Sequence, residues 1–302
     1  RNPHGIGVSR AIRQGGSQGR VVGTDDTTIS NNPTHLSRAA THLGHLSQPG
    51  RTREEVFSDI QGYATESPAH TLEQKSDYLD NLSSRAATNS VANFSQARSK
   101  AQLTRLLYNE VLPAFGNGGN ADTEALQRSQ TVLTNMAGAF GLEQKRLTDP
   151  NPEIHQPERA RLVQGLIDQV SHGIDTSPVL SSARSRYDGS VAKFEANRNS
   201  VVISAGNEGS VGRELQSLNG GIPLNLPPDF SRNILENDAV TSVGATDSGL
   251  LPNGKVGTYE ALYSSQSSGI DIYANGNLQA GGPFSQTTIQ GTSFAAPRVA
   301  AL

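Results

Sequence analysis

The most constraining stretch of the chain is its last, TTIQGTSFAAPRVAAL at 287–302. Gly291 permits a close turn. Thr292 and Ser293 are residue types that favour the start of a helix. Residues 294–301 are small and apolar enough to lie buried, with Pro297 among them. The stretch therefore reads as a tight turn that presents one hydroxyl at a helix start. A serine so placed is a candidate nucleophile. It attacks a carbonyl only with a base to take its proton and donors to hold the oxyanion.

Composition narrows what those partners serve. The 302 residues suffice for one large domain or two modest ones. The absence of cysteine excludes disulfides, thiol catalysis and Cys-based zinc sites. A net charge of −3 points away from nucleic acid, and no apolar run reaches membrane-helix length. The chain begins at Arg1 without Met and stops inside a helix-like run, so the expectation is a piece of a longer protein, incomplete at both ends.

Three zones differ in character. Residues 1–30 read as helix, turn and short strand. The next zone carries helical stripes: Leu103, Leu106, Leu107 and Val111; then Leu126, Val132, Leu133, Met136 and Phe140 behind Asp122 as N-cap; then Leu162, Val163, Leu166, Ile167 and Val170. The last zone looks α/β. SVVISAGNEG is a strand running into a glycine-rich turn, preceded by a short amphipathic helix with Val191 and Phe194. DAVTSVGATD and GIDIYANG are further strands, in the pattern of a parallel sheet.

In ISAGNEG, Asn207 sits in a turn where an amide side chain can donate to a developing oxyanion. GTSFAAPRVA resembles the nucleophile motif of the subtilisin-like serine proteases (subtilases, peptidase S8). SAGNEG resembles their oxyanion-hole motif, and DAVTSVGATD and YSSQSSGIDIYANG resemble the segments between them, in order, over roughly 170–302. The resemblance implies a parallel-sheet subtilisin-like core. It also implies Ser293 as nucleophile, with Asn207 and the Ser293 main-chain N–H as oxyanion donors.

The family's histidine opens a helix, and NPHGIGVS at 2–9 matches this through His4-Gly5, with Gly7 a departure. His4 is thus the expected base, its aspartate lying upstream of Arg1. A rival reading takes Asp26, in VVGTDDTTI, as the triad aspartate; Thr28 standing for the family's glycine counts against it. VSHGI at 170–174 is read as the strand end lining the primary specificity pocket. Ser171 and Gly173 would be substrate wall, as would Ser204, Ala205 and Gly206, in a pocket open to a large apolar side chain. Calcium is common in the family, but Asp25, Asp26, Asp247 and Asp271 are scattered and read as turn carboxylates. No cofactor is expected and no metal site is mapped.

The domain reading is a protease core at 1–30 and 157–302, interrupted by a helical insertion at 31–156 that either packs on its own core or binds a protein partner. The function expected from the resemblance is a serine endopeptidase acting on protein or peptide substrates, secreted or periplasmic, with the present fragment inactive for want of its aspartate. The alternative is a non-catalytic subtilase-like scaffold. An α/β-hydrolase esterase is excluded, because no G-x-S-x-G elbow surrounds Ser293.

Overall fold

The structure, a computed structural model, describes residue 11 and residues 34–85, 88–95, 98–116, 122–250, 255–280 and 287–302. The described chain opens with α1 (Thr34–Leu46) and α2 (Arg53–Ser83), then β1 (Val91–Phe94), α3 (Lys100–Asn109), α4 (Thr123–Phe140) and the single turn α5 (Gln144–Leu147). It continues with α6 (Pro152–Thr176), α7 (Pro178–Glu195), β2 (Ser200–Ser204), α8 (Val211–Leu218), β3 (Thr241–Leu250) and β4 (Val256–Glu260). It closes with β5 (Ile272–Asn275), β6 (Asn277–Ala280), β7 (Thr287–Gln290) and α9 (Thr292–Val299). Among the described residues no helix is long and apolar enough to cross a membrane.

The sheet runs β1-β2-β3-β4, with β5 also on β3. Strands β1, β2, β3 and β5 are parallel, and β4 pairs antiparallel to the far half of β3. β6 and β7 form a separate antiparallel ribbon. Alternation along β2 divides the core, because successive side chains leave opposite faces. Val201 and Ile203 join Ala92 and Phe94 of β1 against Leu72 and Leu79 of α2 and Tyr187, Val191 and Phe194 of α7. Val202 faces the other way, with Val243 and Ala245 of β3, onto Ala295 and Ala296 of α9. The result is a mixed α/β sandwich whose parallel sheet is covered on both faces, as parallel sheets require.

A second, all-helical core lies beside it. Leu103, Leu107 and Val111 of the first predicted stripe, Val132, Leu133 and Met136 of the second, and Leu162, Val163, Leu166, Ile167 and Val170 of the third meet in one cluster. Leu106, facing solvent, and Leu126, half-buried, lie outside it, and Phe140 packs against it half-buried. Asp122 caps α4 as expected, its carboxylate accepting from Ala125 N at 2.7 Å. Lys100, buried at the start of α3, ties it to Asp175 and Asp229, each at 2.8 Å. Burial would lower its pKa, but the bonds to both carboxylates outweigh this and raise it.

Two findings differ from the sequence reading, one within the zone read as an insertion at 31–156 and one in the core segment after it. Residues 91–94 are a strand of the sheet itself, paired in register with 200–203. Residues 170–174 are not a strand end. Helix α6 runs unbroken through Ser171 and Gly173 to Thr176, since the stripe of α6 continues into that segment and Ser177 caps the next helix. Gly173 is buried where α6 crosses α2, and a Cβ there would lie 2.8 Å from Gln61 O and 2.9 Å from Gln61 Cα. Thr65 Oγ1 donates to Gly173 O across the same crossing at 3.1 Å. Glycine is needed here because two helix backbones touch. The reading of Ser171 and Gly173 as substrate wall has no support in this placement.

The crossing predicts that Gly173→Ala forces two backbones apart. Such overpacking costs about 1–3 kcal/mol, measured as a lowered denaturant midpoint. An unchanged midpoint would contradict the crossing. A second prediction comes from α1. His35 is buried between Glu66, which bonds Nδ1, and Glu73, 3.2 Å from Nε2. Burial lowers its pKa, but the bond to Glu66 and the charge and bond of Glu73 outweigh it, leaving the pKa above 6.5. A raised folded pKa stabilises fully below the unfolded value and is lost as pH rises through the folded one. The stability lost in His35→Gln should therefore be larger below about pH 6.5 than in alkaline buffer. A pH-independent difference in chemical denaturation would show that the pair contributes no ionic stabilisation.

Candidate active site

β2 delivers its chain end to the site. Ser204 is buried and its carbonyl accepts from Asn233 Nδ2 at 2.6 Å. Ala205 is also buried, its N–H donating to Val243 O at 2.9 Å. Gly206 turns the chain at φ +105°, a conformation that residues with a Cβ rarely adopt. Its N–H donates to Thr292 Oγ1 at 3.2 Å, and its carbonyl accepts from Ser265 N at 2.9 Å. The turn thus exposes Asn207 while the residues before it are held from both sides.

Asn207 is clasped to the start of α9. Its Oδ1 accepts from Thr292 N at 2.9 Å and from Thr292 Oγ1 at 3.0 Å. With the carbonyl end of the amide engaged, Nδ2 is the end left to donate. Gly291, the N-cap of α9, is extended rather than left-handed (φ 164°). Its lack of a side chain matters through proximity, since a Cβ would lie 3.3 Å from Asn207 Nδ2.

Ser293 is the second residue of α9 and is buried. Its Oγ donates to Ser95 O at 2.9 Å, just past the end of β1. The bond is reciprocated: Ser95 Oγ donates to Ser293 O at 3.4 Å. Pro297 explains why that carbonyl is available. In an uninterrupted helix the residue four positions on would donate to Ser293 O, but proline has no N–H. Asn93 Nδ2 in turn donates to Ser95 Oγ at 2.9 Å. Ser95 is the site neighbour that sequence reasoning missed. Its signal was the short alternation in VANFS, lost within a long helical zone.

A half-buried acid stands next to the clasp. Glu208 receives a bond from Ser265 Oγ at 3.2 Å, and its own N–H donates to that oxygen at 3.2 Å. Burial pushes its carboxyl above the usual range, offset in part by the Ser265 bond. Two of the expected turn carboxylates, Asp247 and Asp271, accept bonds from the protein's own groups. Asp247 lies on β3 and accepts from Asn277 at 2.8 Å and Gln290 at 3.2 Å, fastening the β6–β7 ribbon. Asp271 accepts from Ser242 N at 2.8 Å. His4, Asp25 and Asp26 lie outside the described residues. Ala11 is described and helical, and it is fully buried in one apolar cluster with Leu278 and with Phe294, the neighbour of Ser293.

Ser293, Asn207 and the strand end at Ser95 are brought together by the sheet and α9. Neither a comparison with curated proteins nor one with solved structures finds a match. Residues 170–302, however, match the model of the subtilase family, peptidase S8. Together with the parallel sheet, this match makes that part of the chain similar to the subtilases, a family of serine peptidases.

Proposed function

We propose that the chain is the catalytic part of a serine endopeptidase, with Ser293 as nucleophile, Asn207 and the Ser293 N–H as oxyanion donors, and His4 as general base. The observation that carries this reading is the Asn207–Thr292 clasp, which binds the amide oxygen to the residue just before a buried, helix-starting serine and so leaves Nδ2 as the end to donate. In the proposed reaction the base takes the Ser293 proton as Oγ attacks the peptide carbonyl carbon. Negative charge moves to the carbonyl oxygen, where the two N–H donors receive it. The imidazolium then protonates the leaving amine, and water repeats the sequence on the acyl-enzyme. An aspartate N-terminal to His4 would hold the imidazole in the required tautomer.

For His4 the support is indirect. Ala11, seven residues further along the chain, packs with Phe294, the neighbour of Ser293. The substrate-wall role first read at 171–173 passes to β1, whose end at Ser95 adjoins the nucleophile. The substrates are protein or peptide chains lying along that strand.

A fluorophosphonate, which phosphonylates an activated serine hydroxyl, tests the reading on the full-length protein. Labelling should map to the peptide containing Ser293, disappear in Ser293→Ala and fall sharply in His4→Ala. A folded protein that takes no label would instead be the non-catalytic scaffold. Where peptide hydrolysis is measurable, Asn207→Ala should lower kcat by about 10²–10³, a magnitude taken over from subtilisin itself, with KM little changed. A loss confined to KM would remove Asn207 from the oxyanion site.

A further inference from the structure

We propose that His42, His45 and Asp59 form a divalent-metal site, best suited to zinc, that joins α1 to α2 in the helical body. His42 and His45 are three residues apart on α1 and so share a face. Asp59 is on α2. Asp59 Oδ1 lies 2.9 Å from His42 Nδ1 and 3.1 Å from His45 Nδ1. The three donor atoms all fall within 4.8 Å of one another. A tetrahedral zinc with bonds of about 2.0–2.1 Å holds its ligand atoms about 3.3 Å apart. Each His–Asp59 pair therefore needs to spread by only a few tenths of an ångström to admit the ion.

The surroundings orient each ligand. The His42 ring lies on the backbone of α2 at Gly62, where a Cβ would clash with Cε1 and Nε2. That contact turns Nδ1, not Nε2, toward Asp59, and any side chain at 62 would displace the ring. Arg51 donates to Asp59 Oδ2 at 2.6 Å, which fixes the carboxylate plane and leaves Oδ1 as the single metal-facing oxygen. Outer bonds of this kind commonly orient metal ligands. Arg51 is itself shared with Glu55 at 3.3 Å, so its charge is partly balanced before an ion arrives.

Burial and charge agree. The Asp59 side chain is 4% exposed, against 25% for His42 and 37% for His45, so the open side of the cluster admits an ion with a water as further ligand. Arg51 supplies the positive partner of the Asp59 carboxylate, the form in which it serves as a ligand. Two imidazoles and one carboxylate suit zinc rather than calcium or magnesium, which prefer oxygen-only shells. The site lies outside the subtilase-matched segment, and its success or failure is independent of the chemistry at Ser293.

The test is calorimetric titration of the chelator-stripped protein with zinc chloride, alongside His45→Gln, His42→Gln and Asp59→Asn. One ion per chain is expected, with affinity weakened about 10–100-fold or more in each variant, and a zinc-dependent rise in Tm in the parent only. Cobalt(II) should give the visible absorption of a tetrahedral nitrogen–oxygen site, absent in His45→Gln. His45 is the most exposed ligand, so that variant keeps the test decisive if Asp59→Asn fails to fold. No saturable zinc binding, affinity unchanged in His45→Gln, or displacement of zinc by calcium would each overturn the proposal.

Discussion

The pairing of β1 with β2 is the constraint on which the rest depends. Val91–Phe94 and Ser200–Ile203 lie more than a hundred residues apart in the chain, yet they run side by side in parallel register. A parallel pair cannot be closed by a hairpin and needs a crossover. Here the crossover is the helical body from α3 to α7, which packs on its own core and against the sheet through α7. Closing so long a loop costs only slowly more entropy as it lengthens. The extra helices are therefore tolerated provided they bury apolar surface of their own.

The same pairing decides what Ser293 touches. The end of β1 brings the Ser95 carbonyl and hydroxyl to the start of α9, where each meets a Ser293 group of the opposite kind. Pro297 contributes by leaving the Ser293 carbonyl without its helical donor. Asn207 is held in the same way, its acceptor atom bound to the residue just before the serine. Buried polar groups are costly unless paired, so these bonds fix the site through satisfaction of its own atoms.

The helical body carries a second set of polar anchors. His35 with Glu66 and Glu73, and the His42, His45 and Asp59 cluster, both join α1 to α2. Lys100 joins α3 to the end of α6 and to the Asp229 loop. The helices meet mainly through apolar stripes, which resist separation but specify rotation and height weakly. Directional bonds between these polar groups supply that register. The three anchors lie outside the sheet, so they order the helical layer without entering the site.

The sequence by itself determined the local parts. The Gly291-Thr292-Ser293 start of α9, the Asn207 turn, the Asp122 cap and most of the stripes in α4 and α6 were legible, because turn chemistry, capping and periodicity act over a few residues. What it could not supply was partnership at a distance. VANFS is too short for its alternation to stand out within a helical zone, and nothing local names 200–203 as its partner. VSHGI carries a Ser-x-Gly pattern that fits a pocket wall, but it lies within α6, where Gly173 answers to the backbone of α2. Only the tertiary structure decided these, because a strand's neighbour and a glycine's purpose are set by which surfaces must be buried against each other.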